Sequence, residues 1–459
     1  MKNTYYALLL AIIGTTLFSW FNVNSCLIIL LVICRLFDRG RPLEIVRTAF
    51  SNPFFLAYLS LFGIEVLGLL HTHDLFTAWK HVESKATLVA IPFFFCSGIA
   101  VGRAEWRQFF WSYCWLLAAG CLFCLGVAAG RFVQTGTWEV FFYHALTEVI
   151  SVNAVFFSGY VIMALLFLLS QEGKGKGRAV LAVFFTVMLI LLASKLLLAF
   201  QAVVFLVYLK GWSRVRLKTR RFAGLAALII AGAGVLAATN NPVGERYREI
   251  LHDDLRYSGT GVVPPNAVFN GVSLRLKIWQ FAGEIMREQK AWAIGVSSGD
   301  SQDLLNRKYL AANMSSGFLG YNFHNEFIEL LVRGGLTGLL VYLAATMLLV
   351  GLARKTGTKE GWFAFAMLLL LAMTESTLEM QHSAFLTCFF PLLFCLKASG
   401  RIDRAGPQRM IADGSKGQQK DTCTRQREQP EMYRNAIGKA FQPFIGGEPG
   451  QRAGDDDGE

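Results

Sequence analysis

The chain has 459 residues, of which 54% are hydrophobic and only 17% charged, and it contains 38 phenylalanines. Soluble domains run near about 25% charged, so a water-soluble fold is excluded, and lipid can solvate the aromatics. The net charge of +12 would suit nucleic acid, but the basic residues fall between apolar runs and in the tail, which is the pattern of membrane orientation.

In chain order, Lys2 and the apolar run after it resemble a signal peptide. No small-residue cleavage site follows and a second apolar run comes at once, so this run is read as a retained first span. Crossing the hydrocarbon core takes roughly 17–25 apolar residues. The candidate spans are 5–21, 23–37, 52–70, 85–102, 108–128, 152–170, 179–193, 195–209, 222–239, 325–350, 362–378 and 383–397. As one helix, 179–209 would be roughly 46 Å long at 1.5 Å per residue, too long for one crossing. A hairpin or re-entrant pair turning near Ser194-Lys195 is expected instead. The sequence therefore predicts an all-α polytopic membrane protein with about twelve spans.

Alternate short loops differ in charge. One set carries Lys2; Arg35, Arg39, Arg41 and Arg47; Arg103 and Arg107; Lys174, Lys176 and Arg178; a cluster from Lys210 to Arg221; and Arg354, Lys355 and Lys359. The other has Lys80, Arg131 and Lys195, with Lys85 at a helix edge. The first set is expected to be cytoplasmic, which puts both termini inside and the one large loop, 240–323, outside. The expected organisation is N-terminal spans over 1–239, the loop over 240–323, C-terminal spans over 324–397, and a disordered cytoplasmic tail over 398–459. That tail is rich in Gly, Gln and charge.

The loop carries nine Lys/Arg against eight Asp/Glu, so bulk attraction to a polyanion is not its purpose. At about 272–290, Leu274, Ile278, Phe281 and Ile285 share one helical face, and such a helix can lie in the membrane interface. Further on, Asp300 or Ser301 is expected to cap a short helix through Tyr309. Of the nine cysteines, all but Cys423 lie in apolar runs and none in the loop, which argues against a disulfide framework. Cys121-x-x-Cys124 has redox or zinc spacing but no second ligand pair, so packed or lipid-facing thiols are expected.

Several residues could carry chemistry. Lys195 sits within apolar sequence, where a cation costs about 2.5–3.5 kcal/mol at a helix centre; it is either a snorkelling Lys or a counter-charge for an anionic lipid headgroup. His324 precedes the span 325–350, and Asn325 can cap that helix. A helix N-terminus disfavours a second positive charge, so an imidazole there is suited to accept a proton, although an interfacial His fits the position as well. Glu329 and Arg333, spaced i, i+4, are read as a structural ion pair. Gly334, Gly335 and Gly338 permit close helix contact. Arg275 and Trp279 lie one turn apart and are either a solvated Arg beside an interfacial Trp or an Arg reaching a phosphate, for which its planar fork is suited. Lys85, at the start of its span, could serve similarly. The pairs His71-x-His73-Asp74 and Asp253-Asp254 offer only weak metal patterns. Glu65, Glu148, Glu375 and Glu379 are available to pair with the cations, with partners unassigned.

The stretch from Phe323-His324-Asn325 to Arg333-Gly334-Gly335-Leu336-Thr337-Gly338-Leu339 resembles the His-Asn-x-x-Leu…Gly-x-x-Gly-Leu pattern of the O-antigen ligase and polymerase family. Arg275 to Trp279 followed by Ile294-Gly295-Val296 resembles its Arg-x-x-x-Trp…Gly-x-Gly stretch. Ala193-Ser194-Lys195 is similar to its Ser-Arg or Ser-Lys motif, and Lys85-Ala86-Thr87-Leu88…Pro92 to a basic residue opening an earlier span. Thr374-Glu375-Ser376-Thr377-Leu378-Glu379 looks like a segment of Bacteroidetes-type members. The resemblance runs over residues 50–397. It departs at Lys195, where many members have Arg, at Met380, where a basic residue is common, and at Ser297, which replaces a second Gly.

The resemblance implies a GT-C-like ligase fold in the bacterial inner membrane with its active site facing the periplasm. It implies a glycan on undecaprenyl pyrophosphate as donor and lipid A–core or another glycan as acceptor. Arg275, Lys195 and Lys85 would bind the pyrophosphate and His324 would be general base, with Asn325, Glu329 and Arg333 supporting. Transfer would be inverting, with no metal and no cofactor. Membrane lipids are expected partners and nucleic acid is not. A polymerase using the same donor is the alternative. A polysaccharide or lipid transporter is the second, disfavoured because no paired halves with broken helices are seen.

Overall fold

The computed structural model describes residues 3–99, 101–171, 175–212, 269 and 271–398. The candidate span 222–239, Asp253-Asp254, the loop up to 268 and the tail lie outside the described residues. Every regular element among the described residues is helical: Asn3–Leu17 (α1), Phe21–Leu36 (α2), Pro42–Phe50 (α3), Pro53–Gly68 (α4), Leu75–Lys85 (α5), Thr87–Cys96 (α6), Arg103–Thr135 (α7), Tyr143–Thr147 (α8), Ala154–Ser170 (α9), Lys176–Leu191 (α10), Lys195–Trp212 (α11), Gly271–Glu288 (α12), Ser298–Ala311 (α13), Glu326–Thr356 (α14), Lys359–Ala372 (α15) and Gln381–Ala398 (α16), with a few short 3₁₀ turns between them.

Local chemistry sets the boundaries. Asn52 accepts from the Phe54 N–H at 3.0 Å and Pro53 opens α4, a cap followed by a residue that needs no donor. Asn153 caps α9 in the same way. The apolar run 179–209 breaks at residues 192–194, where Ala193 has φ +49°, close to the expected turn. Both flanking helices, α10 and α11, pack on α9.

Among the described residues, two helices, α7 and α14, are individually long and apolar enough to cross a membrane, or up to four spans if two bent pairs count as one each. Those pairs are α3 with α4, bent by 81°, and the segment Tyr143–Ile150 with α9, bent by 84°. The expected span 85–102 is not one helix. The chain breaks at Ala86, Lys85 ends α5, and α6 has only ten residues, about 15 Å at 1.5 Å per residue. The expected span 362–378 also stops early, at Ala372, leaving 373–380 as an irregular connection.

Helix α9 is apolar on all sides and buried from Ala154 to Leu168, the pattern of a helix at the centre of a bundle. Tyr113 of α7 donates to the Tyr160 carbonyl at 2.6 Å, and Tyr160 donates to the His382 carbonyl at 2.7 Å. These bonds tie α7, α9 and α16 together. The phenylalanines correct a simple lipid-facing expectation. Phe110 stacks on Phe167 at 4.8 Å and on Phe394 at 4.9 Å, and all three are fully buried. Trp115, Leu122, Leu340 and Met347 of α7 and α14 remain exposed, as lipid-facing surfaces are. Cys121 and Cys124 are buried, packed thiols.

Residues 271–323 form a second, smaller apolar core. Ile278, Phe281, Ile285 and Met286 of α12 meet Leu305 and Tyr309 of α13, together with Phe323 and Val332. The amphipathic face of α12 is therefore covered by protein, in place of the membrane interface that periodicity alone allowed. Helix α13 begins earlier than expected, at Ser298. Asp300 does not cap it but accepts from the backbone N–H of His73 at 2.9 Å and of Asp74 at 3.1 Å. Burial pushes the Asp300 carboxyl up, but these donors outweigh burial and hold it below its ordinary value.

This small core is stitched into α14 at a break. Gly335 has φ +63° and ψ −162°. In an unbroken helix the carbonyls of Val332 and Arg333 would accept from Leu336 and Thr337. Instead they accept from Val296 at 2.8 Å and Ser297 at 3.0 Å, while Leu336 and Thr337 donate to Trp292 at 2.8 Å and Ala293 at 3.2 Å. All four backbone groups are thus repaired across the break. Gly295 and Gly335 make the approach possible, since a Cβ on Gly295 would lie 2.3 Å from the Arg333 carbonyl and one on Gly335 would lie 2.4 Å from the Ala293 carbonyl. Gly334 and Gly338 face Ile64 of α4, the close helix contact expected of them. Ser297, which replaces a glycine of the family pattern, sits at φ +74°, where glycine is favoured.

Gly335→Ala is expected to destabilise the protein by at least about 1 kcal/mol, whereas Gly351→Ala, with nothing near its added methyl, should stay within about 0.5 kcal/mol. Thermal unfolding in detergent, followed by tryptophan fluorescence, compares the two. Equal transitions would contradict the stitched break.

Candidate functional site

His324 stands immediately before α14 with φ +47°, a conformation uncommon outside glycine. Its neighbours fix it there. The His324 N–H donates to Asn322 Oδ1 at 3.0 Å. Asn325 caps α14 as expected, accepting from Phe327 at 3.0 Å and Ile328 at 3.2 Å. Trp279 Nε1 donates to the Phe323 carbonyl at 2.9 Å, and Tyr309 donates to the Tyr321 carbonyl at 3.0 Å. Trp279, read as an interfacial residue, is therefore a strut for the residue before His324.

The irregular connection 373–380 is fastened to the start of α14. Asn325 Nδ2 donates to the Met373 carbonyl at 2.9 Å. Glu326 accepts from the Leu378 N–H at 2.8 Å, and Glu329 accepts from Ser376 Oγ at 2.9 Å and the Phe323 N–H at 3.3 Å. The two acids are buried, and these hydrogen bonds give their carboxyl oxygens partners there.

This fastening sets Glu375 between two other groups. One carboxylate oxygen lies 2.8 Å from Arg275 Nη2 and the other 3.2 Å from His324 Nδ1. Arg275 also donates from Nε to the Thr374 carbonyl at 3.2 Å and from Nη1 to the Gly271 carbonyl at 2.8 Å. The carboxylate side chain is only 6% exposed, while those of His324 and Arg275 are 24% and 27% exposed. The Tyr321 ring packs edge-on against the imidazole at 5.6 Å. A ring nitrogen held by a carboxylate, with a guanidinium on the other carboxylate oxygen, is an arrangement for proton transfer beside an anion.

The other expected cations fall elsewhere. Lys85 is not at an open mouth. It is 2% exposed with its ammonium 2.5 Å from Glu65, because it ends α5 inside the bundle and does not begin a span at its surface. That pair occupies the charge the resemblance would offer to pyrophosphate. Lys195 is half-buried at the first residue of α11, and α11 packs on α15, which leads into the 373–380 connection. Arg333 meets Glu329 at 2.8 Å, as its spacing predicted, and also Glu379 at 2.6 Å. His81 Nδ1 lies 3.4 Å from the other oxygen of Glu379. Arg131 meets Glu148 at 2.6 Å. All four unassigned acids thus have cationic partners. His73 faces Asp300 at 3.2 Å.

Glu326 and Asp300 are the acids whose roles the sequence did not disclose, and nothing local to either marks its distant partner. Glu375 was visible as an acid in the segment from Thr374 to Glu379, but its double attachment was not.

Among curated proteins, none matches this chain. A family model described as O-antigen ligase matches residues 180–343. This stretch is similar to the O-antigen ligase family. It contains Lys195, Arg275 and His324, and the O-antigen ligase assignment supports an enzyme of the ligase or polymerase type at the family level. Glu375 lies beyond the matched residues and reaches the site through the fold.

Arg333→Met would leave the buried Glu329 and the half-buried Glu379 without their shared cation, at a cost of about 3–5 kcal/mol. The expected result is loss of monodisperse protein on size-exclusion chromatography or a much lower unfolding temperature. A wild-type transition would show that the cation is dispensable.

Proposed function

We propose that the protein is a membrane glycosyltransferase of the O-antigen ligase type, with His324 as its general base. The observation that carries this reading is the His324–Glu375–Arg275 constellation, in which an acid beyond the family-matched stretch joins a proton acceptor and a guanidinium that both lie within it. The donor is a glycan on undecaprenyl pyrophosphate and the acceptor is a hydroxyl of lipid A–core or of another glycan. The charge pattern of the short loops supports a multi-pass arrangement with both termini on the cytoplasmic side and the site facing the periplasm of the inner membrane.

In the proposed reaction the acceptor oxygen attacks the anomeric carbon while His324 takes the hydroxyl proton. The bond from that carbon to the pyrophosphate oxygen breaks, and the pyrophosphate leaves with the electron pair. Attack from the opposite face inverts the centre. Arg275 and Lys195 stabilise the departing charge, and Arg275 can do so with two parallel hydrogen bonds. Asn325, Glu329 and Arg333 hold the base and the start of α14 in place.

His324→Ala, with membrane insertion confirmed, should lower transfer of lipid-linked glycan by about 10²–10⁴-fold; transfer at the normal rate would remove His324 from the reaction. Arg275→Lys, which keeps the charge and loses the fork, should also impair transfer. The glycan of a deletion strain identifies the acceptor. Lipid-linked polymer accumulating beside bare core indicates a ligase, and core bearing one repeat unit indicates a polymerase.

A further inference from the structure

We propose that Glu375 is a positioning residue that couples occupation of the pyrophosphate site to the basicity of His324. The inference rests on the assignment of His324 as base and Arg275 as phosphate ligand.

One nearly buried carboxylate serves two groups, with its oxygens 2.8 Å from Arg275 Nη2 and 3.2 Å from His324 Nδ1. It cannot drift from either, because Asn325, Glu326 and Glu329 bind the connection that carries it at residues 373, 376 and 378. With Nδ1 directed at a carboxylate, the neutral imidazole carries its proton there and presents Nε2 as acceptor. The strength of that effect depends on how much negative charge the carboxylate keeps for the ring. Without donor, the Arg275 guanidinium offsets it.

All three guanidinium nitrogens are engaged by protein, at Thr374, Gly271 and Glu375. A pyrophosphate arriving at Arg275 must therefore take donors from these partners. The exchange it favours most is with Glu375, because the pyrophosphate brings charge as well as oxygens. The carboxylate is then left to His324 alone, and Nε2 becomes a stronger base only when the donor is in place. An unoccupied site would hold a weaker base.

Among the described residues, Tyr321 packs against the ring, and the acids Glu326 and Glu329 of α14 bind the same connection. Lys195 opens α11, which packs on α15. None of these spans both groups as Glu375 does.

The test uses the full-length protein in detergent or proteoliposomes with lipid-linked glycan donor and acceptor, measuring rate against pH. In the wild type the acidic limb of kcat, which reports the donor-bound enzyme, should lie about one pH unit above that of kcat/KM for donor, which reports the free enzyme. Glu375→Gln should lower kcat by about 10- to 1,000-fold, change donor KM by less than about threefold, and reduce the separation of the two limbs. Glu375→Asp, which keeps the charge, should recover part of kcat. Thermal unfolding of both variants separates this pattern from misfolding. Coincident acidic limbs in the wild type overturn the coupling whatever the variants do. A folded Glu375→Gln enzyme with normal kcat overturns the positioning role while leaving His324 as base. Normal transfer by His324→Ala would instead overturn the reading on which both rest.

Discussion

The exchange of backbone partners at Gly335 is the constraint on which the rest of the site depends. A helix can be opened within a bundle only if the groups it releases are paired again. Residues 292–297 repair all four groups, so the small core of α12 and α13 cannot shift without unpairing α14. That fixes Arg275 and Trp279, both on α12, relative to the start of α14. A flexible tether between loop and bundle would leave the distance from Arg275 to His324 to chance. Close backbone approach is what demands glycine at 295 and 335, so two residues without side chains determine the placement of two with chemistry.

The second constraint is the connection 373–380. An irregular segment within an apolar bundle must find partners for its polar groups, and the start of α14 supplies them through Asn325, Glu326 and Glu329. These residues are not themselves placed in the reaction. Their effect is to convert an irregular stretch into a rigid mount for Glu375, which is how a well-positioned group is obtained away from regular secondary structure.

Much of this was legible locally. The break near Ser194-Lys195, the Asn325 cap, the Arg333–Glu329 pair and the helix over 272–290 are short-range patterns, and hydrophobic periodicity or spacing reveals such patterns. The remainder depends on distance along the chain. Glu375 meets His324 across 51 positions and Arg275 across 100, and no periodicity reports that. Amphipathicity showed that α12 has an apolar face, but it could not say whether lipid or protein covers it. Lys85 was misplaced for a related reason. Hydropathy averages over a window, so it merged the end of α5 with the start of α6 and set at the surface a residue that is buried.

The buried ion pairs bear on how the chain is made. Charges in an apolar helix hinder its entry into the bilayer, and residues near 65 are synthesised long before those near 379. Yet each early charge has a partner close by. Glu65 and Lys85 are 20 residues apart, and Glu329 and Arg333 are four apart. Each of these helical hairpins or turns can thus leave the ribosome carrying its own neutralising partner, while Glu375 and Glu379 meet Arg275 and Arg333 across longer stretches of chain. The network that holds the finished bundle is assembled from pairs that are already neutral, so the order of synthesis does not oppose the order of insertion.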